Sequence, residues 1–229
     1  MLNSTNLIGL ASADSSGPIY LPDDVYVGVF GGPATVTVNL PSGTRSVVFT
    51  TAASSKANLN VTSITLGGVA ATVMAQTYQT QEYYKGTSVW AVNYAGSGPT
   101  TMSFTCGTGA VVMVFALKRQ FITVGADDTA IDVSCGSGTF QATLDVHKDG
   151  LAVCAWRSYV GAAGIAAPFS TFYTQHTSWM SAPLVSALVV PTTTELNKLI
   201  QAYTQGDINY NCDDGATMTV VSFRADRFI

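Results

Sequence analysis

The sequence predicts an all-β protein: two tandem antiparallel β-sandwich domains of jelly-roll or Ig-like type, related by an internal repeat of 106 residues. Two observations predict the strands. Short apolar runs alternate with Thr and Ser, and turn signals separate them every 8 to 12 residues. The chain is 47% hydrophobic but only 10% charged, against roughly 25% charged in an ordinary soluble domain. A third observation predicts the duplication. Phe104-Thr105-Cys106 and Gly109-Ala110 recur 106 residues later as Tyr210-Asn211-Cys212 and Gly215-Ala216. Thr37-Val38-Asn39-Leu40 and Val47 line up in the same way with Thr143-Leu144-Asp145-Val146 and Val153. Identity is low, with four of the sixteen positions from 102 to 117 matching.

Taken in order, residues 1–24 carry little periodicity and read as an extended arm. Domain one, 25–119, opens with Tyr26–Phe30 and the turn Gly31-Gly32-Pro33. Thr35–Leu40 alternates with period two and meets a turn at Pro41–Thr44, after which Arg45–Thr51 is the next strand. Val61–Leu66, Gly67-Gly68 and Ala71–Met74 read as a hairpin. Ser88–Tyr94 is a strand ended by Gly96-Ser97-Gly98-Pro99, and Thr101–Cys106 with Val111–Leu117 is the expected closing hairpin. The buried stripe is expected at Val38, Leu40, Val47, Phe49, Ile64, Leu66 and Val114.

Domain two, 120–229, follows Lys118-Arg119-Gln120 without a Gly/Ser/Pro-rich linker, so the domains should abut with limited freedom. Its strands are expected at 131–133, 139–146, 151–158, 207–212 and 216–224. One segment carries conflicting signals. Thr192-Thr193-Thr194-Glu195 resembles a capping box, and Leu196, Leu199, Ile200 and Tyr203 follow helical spacing. The repeat instead aligns 194–200 with the strand 88–94. The spacing predicts a short helix over 193–203, with Pro183–Val190 as the displaced strand.

Composition also bounds function. No apolar run approaches the roughly 20 residues that a bilayer span needs, so membrane insertion is not expected. Net charge is −4, and the ten Lys plus Arg are scattered, with only Lys118-Arg119 adjacent, without the clustered basic footprint of a nucleic-acid binder. The start, Met1–Asn6, lacks the basic and apolar regions of a signal peptide, although the Ser/Thr/Asn/Gly surface suits a secreted protein or a virus particle. Among the four cysteines, Cys106 and Cys212 should be buried thiols in separate cores, whereas a Cys135–Cys154 pairing stays open.

No catalytic motif emerges. The two histidines, His147 and His176, lie apart, and Glu82 and Glu195 do not correspond under the repeat. The acidic doublets Asp23-Asp24, Asp127-Asp128 and Asp213-Asp214 supply too few converging oxygens for calcium. No metal or cofactor is expected, and the chain reads as non-enzymatic.

The best site candidates are aromatic. Tyr78, Glu82, Tyr83 and Tyr84 lie in a polar, Tyr-rich stretch of domain one, and Phe172, Tyr173, His176 and Trp179 lie in domain two. Such rings cap sandwich edges, build a protein interface or offer flat faces to a sugar, and the sequence leaves all three open. The arm carries Leu7, Ile8, Leu10, Ile19 and Tyr20, more apolar groups than a free tail needs. They are the expected attachment points to another subunit or to a shell.

Three segments together carry a resemblance: Val61–Val69 with its Leu66-Gly67-Gly68, Ser88–Gly96, and the closing strands through Phe115-Ala116-Leu117. Their order resembles β-sandwich modules of tailed-phage virion proteins and gene transfer agents, which serve as head spikes, fibres, decoration or tail components. The resemblance implies a virion surface protein that partners other virion proteins and itself as a homo-oligomer. Host attachment through a cell-surface glycan, as in a carbohydrate-binding or adhesin-like module, is the alternative.

Overall fold

A computed structural model describes residues 20–30, 33–54, 61–79, 85–107, 110–134, 139–157, 162–165, 184–205 and 216–229. The strands are β1 Tyr20–Phe30, β2 Ala34–Ser54, β3 Ser63–Leu66, β4 Val69–Ala70, β5 Thr72–Gln79, β6 Lys85–Thr105 and β7 Ala110–Leu117. They continue as β8 Asp128–Ser134, β9 Thr139–Val146, β10 Leu151–Arg157, β11 Ala162–Ile165, β12 Leu184–Val189, β13 Glu195–Gln205 and β14 Ala216–Phe223. Every pairing between them is antiparallel. The described residues contain no α-helix, only a 3-10 turn at Ala225–Arg227.

The first sheet runs β1-β7-β2-β6-β3-β4, with β5 also on β6. β2 and β6 are each 21 residues long. A strand of that length does not stay flat, and the register slips between Leu40 and Ser46 mark where this pair bends. Gly43 and Gly98 adopt positive φ there, and the Thr44 hydroxyl donates to Pro41 O at 2.8 Å. The expected turns at 41–44 and 96–99 are therefore corners inside continuous strands. Past the corner the sheet doubles back on itself. Val38 and Leu40 from one arm of β2 share a core with Val47 and Phe49 from the other, together with Ile64, Leu66, Met102, Phe104, Cys106, Val112 and Val114. All seven residues of the expected stripe lie in it.

Leu66-Gly67-Gly68 has a local cause. Gly67 and Gly68 take φ of +55° and +81°, and a Cβ on Gly67 would stand 2.4 Å from the Tyr94 ring. Only glycine lets the β3–β4 turn slide beneath that ring.

The second half repeats the neighbour order with two sheets, β12-β10-β14-β8 and β11-β13-β9. The pairing Phe49↔Val114 in the first half has its counterpart in Cys154↔Val220. Position 220 is 106 past 114, but 154 is only 105 past 49, so the hairpin before β10 is one residue shorter. Ala142, Leu144, Val146, Cys154, Trp156, Ile200, Met218 and Val220 fill the core between these two sheets.

A third core lies between the halves. Val48, Val89, Ala91, Met113, Phe115 and Leu117 from the first half pack with Leu151, Val153, Ala155, Val221 and Phe223 from the second. β7 and β10 are consequently buried on both faces, and Ala110–Leu117 and Leu151–Trp156 read as unbroken apolar runs. The result is four β layers with three cores. At the seam, Phe121 stacks on Phe223 and Phe228 with ring centroids 5.1 and 4.7 Å away. Asn93 pins its backbone, donating to Phe121 O at 2.7 Å and accepting Phe121 N–H at 2.9 Å. Gln120 and Ile229 exchange backbone bonds beside it.

Four expectations change. Residues 195–205 form the strand β13, not a helix, because β9 and β11 flank it and take up its backbone groups. The Asn197 bulge at φ +52° breaks the alternation there, which is why the apolar spacing mimics a helix. The displaced strand at 184–189 is present as β12. The closing strands do not pair with each other, since β7 inserts between β1 and β2. The end of the expected arm, from Tyr20, is already strand and pairs with Leu117 of its own chain. Cys154 is a free buried thiol, which excludes the Cys135 pairing. Cys106 is buried in the first-half core as expected, and Cys212 lies outside the described residues.

Candidate functional site

Of the aromatic candidates, only Tyr78 falls among the described side chains. It sits near the end of the edge strand β5, opposite Gly86, and is exposed. Its neighbour Thr77 is buried, so Tyr78 projects from the opposite face. Glu82, Tyr83, Tyr84, Phe172, Tyr173, His176 and Trp179 lie outside the described residues, as do Leu7, Ile8, Leu10 and Ile19. For Tyr20 the backbone alone is described, in β1.

Among the described side chains, Asp127, Asp128 and Glu195 make scaffold contacts; Asp213 and Asp214 lie outside the described residues, and for Asp23 and Asp24 the backbone alone is described. Asp127 accepts from Arg227 Nε at 2.7 Å and from Arg224 N–H at 2.8 Å, tying the seam to the C-terminal turn. That carboxylate holds the Arg227 guanidinium above its ordinary range. Asp128 accepts from the backbone N–H of Thr129 and of Asp145, joining β8 to β9. Glu195 pairs with Lys198 across the Asn197 bulge, and that hydrogen bond lowers its pKa. His147 is half-buried in the turn before β10. Among the described residues no group of three His, Cys, Asp or Glu is placed to hold a metal, and no helix is long and apolar enough to cross a membrane.

The middle core contains a feature that the sequence did not single out. Its seam end is aromatic and its far end is polar. Thr217 is six residues from Phe223 along β14, about 20 Å at the usual strand rise. There the Thr87 and Thr219 hydroxyls meet across the layers at 2.9 Å, and Thr219 also donates to Thr87 O at 3.1 Å. Thr77 is buried beside Thr87 on the neighbouring strand.

Arg157 closes this end. Parity along β10 places it on the same face as Leu151, Val153 and Ala155, towards the first half. Its Nη1 donates to Ala53 O at 2.5 Å, a bond between the two halves. Only 5% of the residue is exposed, and among the described residues no carboxylate pairs with it. Burial lowers its pKa to about 10. Its Nε has no hydrogen-bond partner, nor does the hydroxyl of Thr217, the residue directly opposite on β14. The one available sequence signal was an arginine ending the otherwise apolar run Leu151–Trp156. No family model, curated protein sequence or solved structure matches the chain.

Proposed function

We propose that the chain is a non-enzymatic structural or display protein of a tailed-phage-like virion, acting as a head spike, fibre, decoration or tail component. The observation that carries this reading is the back-to-back joining of two β-sandwich units through a shared middle core. Interfaces between domains in one chain are ordinarily polar and leave the domains free to move. Here Val48, Met113, Phe115, Val153, Val221 and Phe223 make the contact apolar, which suits a part that must hold a fixed geometry. The low-charge Ser/Thr/Gly surface and the resemblance of the Leu66-Gly67-Gly68 strands to virion modules point the same way. Its partners in this reading are other virion proteins and further copies of itself, on the particle surface. Labelled antibody against the chain should decorate purified particles, and the chain should sediment with them through a density gradient. Particles that carry none of it would end the proposal. The exposed Tyr78 ring favours one alternative, a carbohydrate-binding or adhesin-like module, since an exposed ring on a rigid strand offers a stacking face. Saturable glycan-array binding lost in Tyr78→Ala would favour that alternative.

A further inference from the structure

Arg157 poses a problem that the described residues do not solve. Arginine carries its charge at every physiological pH, and an uncompensated buried charge is among the most costly features in a fold. The two C-terminal arginines differ: Arg227 has Asp127 and Arg224 has Asp226. Arg157 has one backbone carbonyl, Ala53 O. Two donors are left over on facing residues of adjacent strands, Arg157 Nε–H and Thr217 Oγ–H. Both project from the same face of the sheet, and directly opposed side chains on one face stand about 5 Å apart at Cβ. A planar or tetrahedral oxyanion can accept from both such donors while cancelling the charge. The pair sits at the last residue of β10 and the second of β14, at the end of the layer rather than its middle.

We infer that Arg157 and Thr217 form a binding site for a small oxyanion of the carboxylate, sulfate or phosphate class, which neutralises the polar end of the core between the two halves. Nε and the Thr217 hydroxyl have no water-accessible surface, so the ion enters as the strand ends open. Occupancy therefore couples to the closeness of the halves. The Arg157–Ala53 bond and the Thr87–Thr219 contact belong to the same end, and an ion there tightens all of them together. The inference does not depend on the virion reading.

The test uses the full chain, with sodium sulfate and sodium acetate as probes against sodium chloride at matched ionic strength. A specific ion raises the melting temperature saturably, by about 3–6 °C at ten times its dissociation constant for a protein of this size. General salting-out instead rises without saturation and acts on every variant alike. The saturable part should vanish in Arg157→Gln, and it should need several-fold more ion in Thr217→Val, which keeps the charge. Arg157→Lys, which keeps the charge but lacks Nε, should also lose it. If Arg157→Gln does not fold, the parent still decides the matter, because the Arg157 Nε–H resonance should shift saturably with sulfate in a ¹⁵N-correlated spectrum. An unmoved Nε–H resonance, or equal sulfate responses in the parent and Arg157→Gln, overturns the site.

Discussion

Replacing Phe121 by alanine probes the joint between the halves. The ring is fully buried and touches Phe223 and Phe228 at 5.1 and 4.7 Å. Truncating a buried Phe costs about 3–5 kcal/mol through lost transfer energy and the cavity left behind. Each ring pair contributes roughly 0.5–1.5 kcal/mol beyond area, so two lost pairs place this site in the upper part of that range. Total stability of a domain is about 5–15 kcal/mol, so the loss is a large share. At about 2–4 °C per kcal/mol for a chain of this length, the melting temperature should fall by roughly 8–20 °C. The location of the effect matters as much as its size. Phe121 belongs to the core that holds Val48 and Val89 as well as Val153 and Val221, so both halves should lose stability together. Trp90 reports on the first half and Trp156 on the second. In a Trp179→Phe background, single-tryptophan versions allow each to be followed separately through urea unfolding. Coincident transitions shifted equally in Phe121→Ala are expected. Two separated transitions, or a shift seen by one tryptophan alone, would refute a shared core.

Three more outcomes follow from the same geometry. Cys154 is wholly buried and its thiol is pushed up to about 12, so it should resist thiol reagents at pH 8 until the protein unfolds. Mass-spectrometric labelling of native Cys154 would contradict its placement. The raised value also sets a sign: the unfolded thiol ionises first, so the Cys154 contribution to stability is whole below about pH 9 and is lost as pH rises towards 12. Comparing alkaline unfolding of Cys154→Ala with the parent isolates that contribution. For the Thr87–Thr219 contact, Thr219→Val should cost about 1–3 kcal/mol by orphaning the Thr87 hydroxyl, whereas Thr87→Val should cost less, because Thr219 still donates to the carbonyl of residue 87, and the double variant should cost less than the sum of the two. Additive losses in a double-mutant cycle would show that the hydroxyls do not depend on each other. Gly67→Ala should destabilise, with αL strain of about 1–2 kcal/mol added to the clash with Tyr94. Adding Tyr94→Ala should relieve the clash and leave the strain. A melting temperature unchanged in Gly67→Ala would mean the turn is built differently.

Local pattern determined much of this protein. Period-two alternation in 35–40 and 61–66 placed Val38, Leu40, Ile64 and Leu66 on the inward face, because a strand has no other way to segregate apolar side chains. Gly67-Gly68 marked its turn through backbone chemistry alone, since both residues take positive φ. Local pattern failed where the deciding partner was distant. The spacing of Leu196, Leu199, Ile200 and Tyr203 fits a helix, and only pairing with β9 and β11 makes it a strand. The run Ala110–Leu117 showed a buried strand but not its neighbours, which turned out to be β1 and β2 rather than the segment just before it. The arginine after the apolar run Leu151–Trp156 was the sole mark of Arg157, and it reads equally as a strand end reaching solvent. Its burial comes from a second sandwich laid across that face, a contact between residues more than a hundred positions apart. Periodicity specifies which side of a strand is apolar. It does not specify what covers that side, because the free energy of burial is indifferent to where along the chain the covering surface originates.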